Sequence, residues 1–154
     1  MTLTSAQLQV LATNMAASEF AGLPHNSDSA ATIAQAYNLP ASPNFTVWRE
    51  DVGVQEIKSN IVWADYVAAT PGVQLAFEFM IAEGMVNPSD PNIRQGFAAV
   101  FSGVTLTQLT AMAKRLATRA ERLFATGTGT TGSPGTMVGS GPLSGGSILQ
   151  AWNS

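Results

Sequence analysis

Apolar residues recur along this chain at helical spacing more often than at strand spacing. The longest run spans residues 105–125, where leucine and alanine return every three or four positions and form one helical seam. Thr105 and Gln108 stand at the spacing of a capping box, which predicts that this helix begins there. We therefore predict one continuous helix over 105–125. Its seam consists of Leu106, Leu109, Ala113, Leu116, Ala120 and Leu123.

Capping signals predict the other helices. Thr4 and Gln7 form a second capping box, directly ahead of an apolar face. The pairs Thr70-Pro71 and Asp90-Pro91 each place a capping residue before a proline at the first helical position. These two pairs predict helices that run to about residues 83 and 101. Shorter helices are expected over 28–37, 51–60 and 61–67, with an extended connector over 45–48.

The helix predicted from Pro71 is apolar on more than one side. Val73, Phe77 and Met80 lie on one seam, whereas Leu75 and Phe79 lie on other faces of the same helix. An apolar surface of this width indicates burial against more than one neighbour.

The C-terminal part of the chain has a different composition. Residues 126–146 hold eight of the fourteen glycines and little that could build a core, so we predict an extended arm that a partner holds by strand addition. Residues 147–153 then read as a short amphipathic anchor that Ser147 caps. The predicted partner-binding residues of the arm are Thr136, Met137, Val138, Leu143, Ile148, Leu149 and Trp152.

These elements together predict an all-α fold. We expect a five- or six-helix bundle over residues 1–125, followed by a long extended glycine-rich C-terminal arm over 126–154.

Composition favours a protein that shares its surface with neighbours. Of the 154 residues, 45% are apolar and only 11% are charged, against about 25% charged in an ordinary soluble domain. The net charge of −3 argues against a general affinity for nucleic acid. No apolar stretch approaches 18 residues, so no membrane span is expected.

Four of the seven basic residues lie within nine positions, at Lys114, Arg115, Arg119 and Arg122. On one continuous helix the three arginines would form a stripe beside the apolar seam. Three interpretations remain open: a solvated helix face, an ion-pair surface against acids of a neighbouring protein, or a phosphate-contacting stripe.

Residues that could carry catalysis or bind a metal do not form a recognisable set. His25 is the only histidine and the chain has no cysteine, whereas zinc sites need three or four protein ligands. Near Asp65 and the Glu50-Asp51 pair, the sequence has no nucleophile and no further carboxylate at a spacing that would indicate catalysis. The glycine-rich segment lacks the lysine of a phosphate-binding loop. We expect no enzymatic activity, no cofactor and no metal.

Three segments carry a resemblance to a known family. AKRLATRAERLFATGTGT at 113–130, FTVWRED at 45–51 and NPSDPNIRQGF at 87–97 resemble small proteins of tailed bacteriophages and prophages that are encoded among the virion structural genes. The arm keeps the Leu-Ser pair of that family at 143–144, but it lacks the aromatic and acidic residues that follow the methionine in relatives.

The resemblance implies a head–tail connector, or adaptor, in the neck of the virion. Such a protein is made in the bacterial cytoplasm and forms a ring, twelvefold by analogy, between the portal protein and the next tail or neck protein. The ring continues the DNA channel, and a C-terminal extension commonly grips the portal. An acidic ring would let duplex DNA pass without binding it.

Other functions remain open at this point. A head-closure (stopper) or tail-terminator protein would normally show more strand signal. A helix-turn-helix DNA-packaging protein would place Arg115, Arg119 and Arg122 in a DNA groove.

Overall fold

The computed structural model describes the whole chain, Met1–Ser154, as a mostly helical fold with two small sheets. It contains nine helices, with 52% of residues helical and 10% in strands, so the predicted all-α bundle of five or six helices is wrong. The helices are α1 (Ser5–Ala16), α2 (Ser27–Asn38), α3 (Val54–Ser59), α4 (Trp63–Ala68), α5 (Pro71–Ile81), α6 (Pro91–Val100), α7 (Gly103–Met112), α8 (Arg119–Phe124) and α9 (Gly145–Trp152). The strands are β1 (Thr46–Trp48), β2 (Val52–Gly53), β3 (Met85–Val86) and β4 (Lys114–Leu116).

The strands form two separate pairs. β1 pairs with β4, while β2 pairs with β3 in an antiparallel ladder that sets Val52 opposite Val86.

The chain divides into two compact units. Unit 1 consists of Met1–Thr46 together with Leu116–Ser154, and unit 2 is the segment Val47–Arg115 between them. The division that the sequence predicted at residue 125 therefore falls inside unit 1.

The core of unit 1 is built from both ends of the chain. Helix α9 packs against α1 and α2, and Ile148 and Ala151 of α9 are buried. The C-terminal segment is thus part of a folded core and not an arm that extends from it. The buried residues of this core are Leu11, Met15, Ala30, Ile33, Ala34, Tyr37, Ala120, Phe124, Leu143, Ile148 and Ala151.

The glycine-rich segment folds back as a hairpin that Phe45 holds in place. Thr126 and Thr136 pair as an isolated bridge, with hydrogen bonds of 2.9 and 3.0 Å in the two directions. Gly129 has a φ of +65° and lies against the Phe45 ring, so that a Cβ added there would overlap the ring. Only glycine meets both demands without strain.

Polar contacts fasten the chain beyond the hairpin to unit 1. The Asn38 amide donates to the Leu143 carbonyl at 2.9 Å and accepts from the Leu143 N–H at 2.7 Å. The Met1 ammonium donates to the Pro142 carbonyl at 2.6 Å, and the Gln7 side chain donates to the Val138 carbonyl at 3.0 Å. The composition predicted an extended arm held by a partner, but these bonds within the chain satisfy backbone groups that would otherwise need water or a partner.

Unit 2 has its own core between α5, α6 and α7. The rings of Phe77 and Phe101 meet edge to face, with centroids 5.1 Å apart at 87°, which is a favoured aromatic geometry. The buried residues of this core are Val52, Ile57, Phe77, Ile81, Val86, Phe97, Phe101 and Leu109.

The helix predicted over 105–125 is interrupted. α7 begins after Ser102 rather than Thr105 and ends at Met112, and the next residues form β4. Backbone hydrogen bonds hold this segment to the β1 region, from Arg49 N–H to Ala113 O at 2.9 Å and from Ala117 N–H to Phe45 O at 2.8 Å. Strand pairing therefore overrides the helical spacing of the leucines and alanines.

A new capping box restarts the helix after β4. The Thr118 hydroxyl accepts from the Glu121 N–H, and the Glu121 carboxylate accepts from the Thr118 N–H, so α8 begins at Arg119. Elsewhere the predicted starts are confirmed at the Thr4 capping box and at the Thr70 and Asp90 caps. In α9 the cap is Ser144, three residues before the predicted Ser147.

We expect Ile148→Ala to destabilise unit 1 strongly, because the Ile148 side chain is fully buried. The expected loss is about 2–5 kcal/mol of unfolding free energy, measured by urea denaturation. Val138→Ala is the matched control, since Val138 lies in the same segment but is half exposed, and it should change stability by less than about 0.5 kcal/mol. Equal, small effects of the two substitutions would show that α9 does not belong to the core.

Candidate interaction surface

The most unusual surface of the molecule lies on α4 and α5 in unit 2. Between residues 59 and 82 the chain has only two charged residues, Asp65 and Glu78. A helical hairpin on a protein surface ordinarily carries charged residues on its outer side. Here most of the exposed residues are alanine, valine, leucine, tryptophan or phenylalanine, and Glu78 is the one exposed acid.

Helix α5 is fixed by one face only. It begins at Pro71 behind the Thr70 cap. Phe77 and Ile81 point into the core of unit 2, where they are 2% and 6% exposed. Gly84, with a φ of +82°, follows the end of the helix and precedes β3. The face of α5 that carries Leu75 and Phe79 is left without a covering element.

Four large apolar side chains lie exposed on α4 and α5. Phe79 is 84% exposed, Trp63 71%, Leu75 68% and Val67 57%. Together these four side chains expose on the order of 600 Å². We call these four residues the apolar face.

Both carboxylates of this region have hydrogen-bond donors within unit 2. The Thr105 hydroxyl donates to Asp65 Oδ2 at 2.6 Å, and the Tyr66 hydroxyl donates to Glu78 Oε1 at 2.5 Å. The bond to Glu78 raises the pKa of Tyr66, and desolvation adds to the effect. The Tyr66 hydroxyl therefore keeps its proton at neutral pH and donates to Glu78, so the Glu78 carboxylate has a hydrogen-bond partner without a cation from another molecule.

A cleft of about 610 Å³ opens beside the apolar face. Val54, Ile61, Phe77 and Ile81 contribute apolar lining, and Trp63 belongs both to the cleft and to the apolar face. Lys58, Tyr66 and Glu78 supply polar groups to the lining. This combination of apolar and polar residues suits an apolar side chain of a partner that is surrounded by polar contacts.

The predicted basic stripe does not form on one helix. Lys114 and Arg115 lie in β4 within unit 2, whereas Arg119 and Arg122 lie in α8 within unit 1. The stripe required an uninterrupted helix over 105–125, and β4 interrupts it. Lys114 Nζ lies 5.2 Å from the centroid of the Trp48 ring, and Arg122 donates to the Pro43 carbonyl at 3.1 Å.

Arg119 is held by an acid and two rings of its own unit. It forms a two-pronged contact with the Glu19 carboxylate, at 2.5 and 3.2 Å. Its guanidinium carbon also lies 4.5 Å from the Tyr37 ring centroid and 5.3 Å from that of Phe20. The hydrogen bond to Arg119 lowers the pKa of Glu19 and raises the pKa of Arg119. Arg119 thus forms its ion pair with an acid of its own chain, and not the predicted pair with an acid of a neighbouring protein.

The predicted partner-binding residues of the C-terminal segment divide into buried and accessible ones. Met137, Leu143 and Ile148 are buried in unit 1, at 5%, 3% and 0% exposed. Leu149 and Trp152 are partly buried, and Thr136 is exposed beside its bridge to Thr126. Val138 remains half exposed. Three of the residues that were predicted to bind a partner are therefore buried in unit 1 of their own chain.

His25 takes part in an aromatic contact. Its ring stacks on Trp152 with centroids 4.4 Å apart and an angle of 11° between the planes. No group of three or more His, Cys, Asp or Glu side chains lies close enough together to hold a metal ion. None of the helices is both long enough and apolar enough to cross a membrane.

The apolar face was only partly visible in the sequence. The width of the apolar surface on α5 indicated a second buried side, and Leu75 and Phe79 lie on that side. Trp63 and Val67 were missed as surface residues. The near absence of charge between residues 59 and 82 does not single them out, because residues 29–48 and 123–154 contain no Asp, Glu, Lys or Arg at all.

Comparison with known protein families, with curated proteins and with solved structures finds no match.

We expect the Glu19–Arg119 pair to contribute a small, pH-dependent part of stability. Because the folded pKa of Glu19 is lowered, this contribution is complete above the ordinary glutamate pKa and is lost as the pH falls through the folded value. Glu19→Gln should therefore lower the melting temperature slightly at about pH 7 and have no effect at about pH 2. Glu83→Gln, at an exposed carboxyl of unit 2, is the control. A deficit that persists at low pH would assign the effect to packing.

Proposed function

We propose that this protein is a structural subunit of a tailed-bacteriophage virion, a head–tail connector or adaptor, and that it meets its neighbours through the apolar face. The observation that carries the proposal is the exposure of Trp63, Val67, Leu75 and Phe79 on α4 and α5, where Asp65 and Glu78 are the only charged residues. Centres of protein–protein interfaces are depleted of charge and enriched in aromatic residues.

The resemblance to phage neck proteins supplies the biological setting. Its three segments meet in unit 2 at Trp48: the Arg94 guanidinium lies 4.5 Å from the Trp48 ring centroid and Lys114 Nζ lies 5.2 Å from it. Arg94 also donates to the carbonyls of Pro88 and Ser89, so its side chain is fixed from both sides. The three segments thus touch at Trp48, although residues 116–130 of the segment 113–130 belong to unit 1.

In this proposal the protein docks through the apolar face, whereas the sequence predicted docking through the C-terminal arm. Portal binding through Met137, Leu143 and Ile148 would require these side chains to leave the core of unit 1. Each exposed apolar side chain of that size would cost roughly 1.5–3 kcal/mol. We therefore assign contact with the portal or the next neck protein to the apolar face, and assign the C-terminal segment to the stability of unit 1.

Passage of DNA fits the charge of the chain. Copies that each carry a net charge of −3 would line a ring that repels duplex DNA, so the genome could slide through without being retained. Arg119 and Arg122 lie on the six-residue α8 and contact Glu19 and Pro43 of their own unit. Nothing in this arrangement favours a helix-turn-helix DNA-packaging protein.

We expect Phe79→Ser to weaken binding to the cognate portal ring by about 30-fold or more, because central aromatic residues dominate interface energies. Val104→Ser is the matched control, since Val104 is 61% exposed on α7 of the same unit but lies outside the apolar face. Surface plasmon resonance with purified portal measures both variants, and electron microscopy of virions locates the chain. Unchanged portal binding by the Phe79 variant, or absence of the chain from the virion neck, would contradict the proposal.

A further inference from the structure

We infer that unit 1 carries a separate docking site, a groove that binds an acidic segment of a partner protein through Arg122. The groove has a volume of about 620 Å³ and lies between residues 39–42 and helix α8. All of its lining residues belong to unit 1. The inference goes beyond the proposed function, because this groove uses none of the residues of the apolar face.

Both arginines of unit 1 line this groove. Arg119 and Arg122 are the only Lys or Arg residues within Met1–Thr46 and Leu116–Ser154, and the one carboxylate in the lining is that of Glu19. Two cations against one anion leave the groove with a single positive charge, although the whole chain carries a net charge of −3. The groove is therefore complementary in charge to one carboxylate. A phosphate monoester, with about two negative charges at neutral pH, would exceed that charge.

The two arginines have different partners within unit 1. Glu19 engages the Arg119 guanidinium through the two-pronged contact at 2.5 and 3.2 Å. Arg122 instead donates to the neutral carbonyl of Pro43 at 3.1 Å. This bond positions the Arg122 guanidinium without neutralising its charge, and further N–H groups of the side chain remain as donors. A planar guanidinium binds a carboxylate through two parallel hydrogen bonds.

Neutral polar groups add donors to the same groove. Asn14 and Ser42 both contribute to the lining. The Asn14 Oδ1 atom accepts from the Tyr37 hydroxyl at 2.5 Å, which leaves the Nδ2 hydrogens of Asn14 for a ligand. Because an ionised carboxylate only accepts hydrogen bonds, a groove with several donors suits it.

The apolar part of the lining favours a peptide segment over an isolated small anion. Leu39 is 62% exposed, and Pro40, Ala36 and Leu123 also line the groove. The wall that carries Leu39 is held in place, because the Arg119 N–H donates to the Leu39 carbonyl at 2.9 Å. A carboxylate alone would leave most of the groove empty, whereas a segment with apolar residues beside its acid would also cover Leu39. Arginine and apolar side chains occur together at the centres of protein–protein interfaces.

Peptide binding to the full chain tests the inference. The probe is a capped peptide with one glutamate between two leucines, and the control peptide has glutamine in place of the glutamate. NMR follows the Nε–Hε signals of the arginine side chains at about 150 mM salt, where long-range charge effects are screened. We expect the glutamate peptide to shift the Arg122 signal with a Kd on the order of 1 mM, and the glutamine peptide to bind at least about tenfold more weakly.

Three variants locate the binding site. Arg122→Gln should weaken binding of the glutamate peptide about tenfold or more, with the Arg119 signal as the reporter. Glu19→Gln should strengthen binding about threefold, because it removes the acid that competes for the arginines. Lys58→Gln makes the same change of charge as Arg122→Gln at an exposed residue of unit 2, so it is the control and should leave the affinity unchanged. Circular dichroism checks the fold of each variant.

Several results would overturn the inference. These are an Arg122 signal that does not shift at about 10 mM peptide, equal binding of the two peptides, and an effect of Arg122→Gln no larger than that of Lys58→Gln. Inorganic phosphate that binds more tightly than the glutamate peptide would overturn it by assigning the groove to phosphate. Acetate that binds as tightly as the peptide would overturn it by assigning the groove to small carboxylates.

Phe79→Ser separates this inference from the proposed function. This variant should leave peptide binding unchanged, because Phe79 lies in unit 2. Loss of portal binding by Phe79→Ser without peptide binding to the groove would support the connector role and overturn the inference. Peptide binding together with unchanged portal binding by Phe79→Ser would support the groove and contradict docking through the apolar face.

Discussion

The burial of α9 against α1 and α2 is the interaction on which the rest of the structure depends. Ile148 and Ala151 enter a core that also contains Leu11 and Ile33, so the first and last parts of the chain close one core. The glycine-rich hairpin lets the chain turn back toward this core. It turns beside the Phe45 ring, where a side chain at position 129 would not fit. Glu121, which is buried, caps α8 and also accepts a hydrogen bond from the Gly141 N–H at 3.4 Å. It therefore connects α8 to the chain that leads into α9.

This closure decides which surface is left for partners. With Met137, Leu143 and Ile148 buried inside unit 1, the C-terminal segment presents little apolar surface to another molecule. Unit 2, in contrast, presents apolar surface to solvent. Phe77 and Ile81 bury one side of α5 in the core, whereas Leu75 and Phe79 on its other side are exposed. The low charged fraction is spread along the chain, since residues 1–18, 29–48 and 123–154 contain no Asp, Glu, Lys or Arg.

Local signals in the sequence predicted local structure well. The Thr4 capping box and the Thr70 and Asp90 caps depend on neighbouring residues only, and all three helices begin where these residues predict. The continuous helix over 105–125 failed because β4 pairs with β1, which lies more than 60 residues earlier in the chain. The Thr118–Glu121 capping box was a readable signal of the restart at α8. The prediction of an extended C-terminal arm was wrong because the glycines let the chain turn back to the core. Composition alone cannot distinguish glycines that permit a turn from glycines that make a segment flexible. Of the apolar face, the sequence indicated only that α5 has a second apolar side with Leu75 and Phe79, which was predicted to be buried and is exposed.

Hydrogen–deuterium exchange on the isolated chain and on the chain mixed with the proposed portal partner tests the central claim most directly. The account predicts that backbone amides of residues 145–152 are already protected in the isolated chain and change little on binding, because α9 is part of the unit 1 core. It also predicts that amides of α4 and α5, over residues 63–81, gain protection on binding. The account would be contradicted if residues 145–152 exchanged freely in the isolated chain and became protected only when bound, while α4 and α5 stayed unchanged.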